Sequence, residues 1–170
     1  MATPRGIRNN NPLNIRRTAK SQWRGMAEVQ SDRDFVRFKS MAWGWRAAFR
    51  LLIRTYYHKY RLCTIRSIIS RWAPPSENNT RAYIQHVSSL AGIGPDEPIG
   101  NPQEKPGRWM MVGVAMAIQE NGLVKREPDD ASIGSAGHED YGVKPNGTTW
   151  PDCLAMLQGW QMCWDDVQEG

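Results

Sequence analysis

The chain has 170 residues, 40% of them hydrophobic and 23% charged, which suits one well-buried domain and is short for two. It holds no uninterrupted apolar run near the roughly 18 to 20 residues of a membrane span, and its start lacks the apolar core of a secretory signal, so membrane insertion and self-directed export are not expected. The net charge of +5 is unevenly spread: residues 1–72 carry sixteen Lys/Arg against three Asp/Glu, or +13, and residues 73–170 six against fourteen, or −8. Such a basic front half attracts polyanions, whether nucleic acid, anionic lipid or the acidic groups of a cell wall. Cys63, Cys153 and Cys163 are odd in number and have no metal-ligand spacing, which argues for buried or idle thiols rather than a disulfide framework.

Residues 4–17 combine Pro and Gly with Asn9, Asn10, Asn11 and Asn14 and predict an irregular opening segment with turn chemistry. Residues 23–29 and Phe35-Val-Arg-Phe38 read as two short extended pieces around Ser31-Asp32-Arg33-Asp34, a small hairpin. Over residues 43–60 the apolar positions Trp45, Phe49, Leu52 and Tyr56 recur at helical spacing, with Arg46, Arg50 and Arg54 on another face. Thr64 is placed to cap a second helix with Ile65, Ile68, Ile69 and Trp72 as its stripe, ended by Pro74-Pro75. Thr80 is expected to cap a third, carrying Tyr83, Ile84, Val87 and Leu90 and stopped near Gly92. Residues 92–107 read as a loop. A fourth helix over 108–120 is almost purely apolar and should be central; Gly122 is placed to end it, with Glu120 in its last turn. Residues 123–149 are polar, and residues 150–167 predict a final amphipathic helix using Leu154, Leu157, Trp160 and Trp164.

Glu120 is the residue most suggestive of chemistry. The end of an apolar helix presents a carboxylate with the negative pole of the helix dipole and a partly dry environment, both of which push a pKa upward. A glycosidase needs such a group as its general acid, a Glu raised to about 6 that protonates the leaving oxygen. The plain alternative is a solvated residue at a helix end. His58, His86 and His138 have no metal-ligand spacing, so neither metal nor cofactor is expected.

The blocks Arg5-Gly-Ile-Arg-Asn-Asn-Asn-Pro-Leu-Asn-Ile-Arg16, Trp23-Arg-Gly-Met, Phe35-Val-Arg-Phe38, Gly44-Trp-Arg-Ala47 and Arg71-Trp-Ala-Pro-Pro-Ser-Glu-Asn-Asn-Thr-Arg-Ala-Tyr83 resemble a group of phage and prophage virion structural proteins and lysozyme-like lysins, the cystovirus lysin among them. The resemblance covers roughly residues 5–122. The block order is also similar to that of flagellar and autolysin-type glucosaminidases, in which an Asn-Pro segment is followed by a Trp-x-Gly hairpin and an aromatic strand. Those enzymes place a helix ending in Glu-Thr-Gly before the Asn-Pro segment; here the comparable helix, Ala115-Met-Ala-Ile-Gln-Glu-Asn-Gly122, stands at the far end, as a circular permutation would leave it.

The resemblance implies a mainly α, lysozyme-like single domain over residues 1–170 with a small β-hairpin, circularly permuted, and a C-terminal extension over 122–170. It implies cleavage of peptidoglycan glycan strands, as muramidase, glucosaminidase or lytic transglycosylase, with Glu120 as the acid. A second carboxylate would come from Glu28, Asp32 or Asp34, Glu28 being the only glutamate among them. Without a partner, one acid/base suffices for a transglycosylase step. Asn11, Asn14, Trp72, Asn79 and Tyr83 are the expected substrate-binding residues, because sugars pack an apolar face on aromatics and bond their rims to amides. Trp72 closing a core stripe and Asn79 capping a helix are the plain readings beside these. The expected partners are bacterial peptidoglycan and other virion proteins, with no specific nucleic acid. The expected location is the virion or host cytoplasm before action at the host wall. The alternatives are a non-catalytic virion structural protein on the same scaffold, a basic nucleic-acid binder and, last, a peptidase of wall cross-links, for which no Cys/His, Ser/His or metal constellation is visible.

Overall fold

The computed structural model describes residues 3–76, 78–122 and 152–165, and among these the protein is mainly helical. The elements are α1 (Arg5–Arg8), α2 (Met41–Phe49) running into a π-helical segment (Arg50–Lys59), α3 (Ile65–Trp72), α4 (Thr80–Ala91), α5 (Pro106–Asn121) and α6 (Cys153–Met162). No helix of the described residues is long and apolar enough to cross a membrane.

The long helix predicted over 43–60 forms, with Ser40 as its N-cap and Trp45, Phe49, Leu52 and Tyr56 all buried as the spacing requires. Its second half widens to i→i−5 pairing, as in the bond from Tyr60 N to Thr55 O at 3.0 Å. α3 starts at the predicted cap, where Thr64 and Ser67 form a reciprocal capping box. α4 departs by one residue: Asn79, not Thr80, is the cap, its side chain accepting from Ala82 N at 3.1 Å. Thr80 is instead the first helical residue, and its hydroxyl donates to Ala73 O across the Pro-Pro turn. Gly92 ends α4 at φ +69°, as expected of a left-handed stop.

The opening segment also differs from expectation. Arg5–Arg8 make a helical turn, and Asn10 and Asn14 then take φ +52° each, a conformation that asparagine tolerates better than most residues. Among the described residues the hairpin is reduced to a single antiparallel bridge, Met26 with Phe38, while Phe35 bridges instead to Arg16 of the opening segment. A ladder does not extend because the Gln30 amide replaces a strand partner: it donates to Ala27 O and Arg37 O, both at 2.8 Å, and accepts from Arg37 N at 2.9 Å.

α5 is central as predicted, burying Trp109, Val112, Ala115, Met116 and Ala117, with Gly113 against the Phe49 ring. α4 packs along it and α6 along α2. Of the four apolar positions predicted to face the core from the last helix, Trp160 is buried and Trp164 packs against the core, but the two leucines turn outward. Leu154 and Leu157 are exposed, whereas Ala155, Met156, Gly159 and Trp160 are buried. The reason is proximity: a Cβ at Gly159 would lie 2.4 Å from Trp45 Cβ and 2.7 Å from Arg46 N, so the small residues of α6 face α2. Beyond α6, Asp165 gathers the arginines of α2 and the π segment. Arg46 (Nη2–Oδ1 2.8 Å) and Arg50 (Nη1–Oδ1 3.0 Å) are buried beside it, and Arg24 bonds its other oxygen at 3.0 Å. The three cysteines are free thiols. Burial pushes the Cys163 thiol up to about 12, while Cys153 is exposed. The expectations for residues 123–149 and for His138, Trp150 and Val167 lie outside the described residues.

Candidate functional site

The last turn of α5 meets the asparagine-rich segment. Glu120 is half-buried, and both its oxygens accept hydrogen bonds: Oε1 from Asn14 Nδ2 at 3.1 Å and Oε2 from Tyr83 Oη at 2.8 Å. The bond to Asn14 spans 106 positions of sequence. Each donor is fixed from behind. Asn14 sits between buried Leu13 and Ile15 in its left-handed turn, and Tyr83, 5% exposed, lies on the core side of α4. Trp72, half-buried at the end of α3, packs against the core beside α4. Burial, and then the adjacent Glu120 carboxylate, push the Tyr83 phenol far above its ordinary range, so it keeps its proton and serves Glu120 as a donor. Neither partner carries a formal charge, and the carboxyl is held by two neutral donors.

The next residue locks this junction. Asn121 Nδ2 donates to Pro12 O at 2.9 Å and to Ala117 O at 3.1 Å. Opposite, a Cβ at Gly6 would lie 2.3 Å from Asn121 Oδ1 and 2.9 Å from Asn14 Oδ1, so only glycine lets α1 approach. Neither Asn121 nor Gly6 was singled out from the sequence. Asn121, next to Glu120 and followed by Gly122, was the more legible of the two.

The structure therefore brings together four of the sequence-predicted residues: Glu120, Asn14, Tyr83 and Trp72. The other three are placed differently. Asn11 is fully buried, its amide donating to Ile15 O (3.0 Å) and Val36 O (2.8 Å) and accepting from Ile15 N (2.9 Å), so it clamps backbone and cannot line a cleft. Asn79 is exposed and occupied as the cap of α4. Glu28 is exposed and, among the described residues, shares no hydrogen bond with Glu120, Asn14 or Tyr83. The other two acids of that region are engaged elsewhere. Asp32 takes a bidentate bond from Arg5 (2.6 and 2.7 Å) and one from Asn9 (3.0 Å), and Asp34 pairs with Arg5 at 3.0 Å. Arg5 foremost, then Asn9 and the backbone N–H groups of Asp34 and Phe35, hold the Asp32 carboxyl well below the usual range against the opposing effect of its burial. On α4 and α5 beside the site, His86 Nδ1 and the Gln119 side-chain oxygen share a hydrogen bond. Among the described residues no group of three His, Cys, Asp or Glu side chains is placed to hold a metal ion.

No family model matches the chain. Over 120 residues it is 43% identical to Protein P5 of Pseudoalteromonas phage PM2, an overlap spanning 69% of this chain and 71% of that protein. With that identity over more than two thirds of each partner, the chain belongs to the family of the phage PM2 Protein P5.

Proposed function

We propose that the chain is a phage-borne enzyme that cleaves peptidoglycan glycan strands on a lysozyme-like scaffold, with Glu120 as its acid/base. The observation carrying this reading is the Glu120 carboxyl at the end of the central helix, half-buried and oriented by Asn14 and Tyr83. A general acid requires such fixed aim, and positioned proton transfer contributes typically 10² to 10⁴ in rate. The permuted order of blocks is supported by proximity. The Ala115–Gly122 helix end is tied to the Asn11-Pro-Leu-Asn14 segment through Asn14–Glu120 and Asn121–Pro12, though over 100 positions separate them.

In this reading Glu120 donates a proton to the glycosidic oxygen as the bond to the anomeric carbon breaks, and Tyr83 and Asn14 then stabilise the carboxylate left behind. With no second carboxylate hydrogen-bonded into the site among the described residues, the step fits a single acid/base. Glu120 would then take the proton of the substrate's own attacking hydroxyl, leaving an anhydro end, as in a lytic transglycosylase. Glu28 as a distant second carboxylate would give a reducing end.

A non-catalytic virion component is the second reading, favoured by the way Glu120 joins α4, α5 and the opening segment as a structural clasp would. Glu120→Gln separates the two. Turbidity clearance and product mass spectrometry on purified peptidoglycan should show release of muropeptides by the wild type and a loss of about a hundredfold or more in the variant, at matched circular dichroism. Intact glycan with both proteins would favour the structural component.

A further inference from the structure

The opening half of the chain has no acidic residue between Asp34 and Glu77, and part of that surplus gathers at one place. At the end of the π segment, Lys59 and Arg71 both lie over the exposed ring of Tyr60, at 5.5 and 3.8 Å from its centroid. Arg61 follows immediately, exposed and in a left-handed turn at φ +61°. Lys59, Arg61 and Arg71 make no ion pair among the described residues, whereas Arg66 on the same helix as Arg71 is neutralised by Asp96 at 2.7 Å. The positive field registers on His58, whose pKa is lowered by burial first and then by Arg54 and Arg61.

The helix packing relates this cluster to the Glu120 site: α3 packs on α4, and α4 on α5. Arg71 directly precedes Trp72 in the last turn of α3, and α3 packs on α4, the helix that carries Tyr83. Arg71 also lies 5.9 Å from the ring of buried Tyr56. Because the tyrosine face is already covered by a guanidinium, the cluster offers charge rather than a stacking platform, which suits carboxylates better than nucleic-acid bases.

We propose that Lys59, Arg61 and Arg71 form a cationic, anion-binding subsite flanking the Glu120 site, which binds the stem-peptide carboxylates of peptidoglycan. The subsite rests on the glycan-cleaving reading for its choice of ligand. It selects peptide-bearing strands over bare glycan, and binding through it weakens with salt because the cations are exposed.

The test is co-sedimentation at low and high salt with three wall probes (intact sacculi, sacculi whose carboxylates have been amidated, and strands stripped of stem peptides), with duplex DNA binding measured alongside. The wild type is compared with Lys59→Gln/Arg61→Gln/Arg71→Gln, with thermal melting to verify folding. Wild-type binding should be about tenfold tighter to intact sacculi than to either altered probe, and the triple variant should lose that advantage and most of the salt dependence. Equal binding to native and amidated sacculi, or an unchanged triple variant, would overturn the subsite. So would a variant that loses duplex DNA binding while keeping its preference for native sacculi. The readout is binding, so a wild type that cleaves nothing would count against the catalytic reading while the difference between probes still judges the subsite.

Discussion

Gly44 gives a quantitative test of how the opening segment is docked on α2, because a single added methyl has nowhere to go. An ideal Cβ at that position falls 1.8 Å from the carbonyl oxygen of Asn10 and 2.8 Å from Pro12 Cδ. An ordinary carbon–oxygen contact is about 3.3 Å, so roughly 1.5 Å must be found. The obstacle is backbone that is pinned on both sides: Asn10 N bonds Ile7 O at 3.2 Å, its amide bonds Phe38 O at 3.1 Å, and Asn9 O accepts from Phe38 N at 2.8 Å. Overpacking relieved by side-chain shifts costs about 1–3 kcal/mol, and relief through backbone belongs at the upper end. Alanine returns about 1 kcal/mol of helix propensity. Gly44→Ala should therefore lose about 2 kcal/mol net, a fall of about 4–8 °C in Tm for a chain of this size. Gly107→Ala, in the first turn of α5 with nothing within 4 Å of its Cβ, is the control and should gain about 0.4–1 kcal/mol. Thermal and urea denaturation followed by circular dichroism measure both. A Gly44→Ala protein as stable as the wild type would refute the docking of residues 9–14 against α2.

Two further substitutions probe the charged contacts. Asp165→Asn leaves the Arg46 guanidinium, with a fully buried side chain, and Arg50, 7% exposed, facing a neutral amide. Breaking such a buried pair costs about 3 kcal/mol, and a loss below about 1 kcal/mol in urea unfolding would show that other groups compensate the two cations. Asp32, held well below its reference of 3.8 foremost by Arg5, contributes stability that is present above that reference and lost as pH falls beneath it. Unfolding at pH 6, 4 and 2.5 should therefore show the wild-type advantage over Asp32→Asn shrinking as pH falls, and an advantage constant with pH would rule out the ion pair as its source.

What the sequence disclosed follows the range of the forces involved. Helices set by periodic burial were readable because their cause is local. The stripe of Trp45, Phe49, Leu52 and Tyr56, the Thr64 cap and the apolar run of α5 all lie where the spacing puts them. The two leucines of α6 were misjudged for the opposite reason, although Trp160 and Trp164 do face the core. Size of side chain predicts burial only when the partner surface is distant, and α2 approaches so closely that Gly159 and Ala155 take the interface and leave Leu154 and Leu157 outside. The four asparagines of the opening segment make the same point for the site. Their side chains are chemically identical, yet Asn9 bonds Asp32, Asn10 bonds Phe38 O, Asn11 clamps Ile15 and Val36, and Asn14 alone reaches Glu120.

The division of labour among those asparagines depends on two successive left-handed turns and on a helix end supplied from 106 positions away. Local pattern carries no information about that arrival. Glu120 was nevertheless legible, because its signal, a carboxylate in the last turn of an apolar helix before Gly122, is written within eight residues. Its donors were legible only as residue types. The carboxyl belongs to the helix that builds the core, whereas its donors belong to a turn and to the next helix over. Any change that shifts the turn, such as a side chain at Gly44 or Gly6, should therefore uncouple Asn14 from Glu120 while leaving Tyr83 in place.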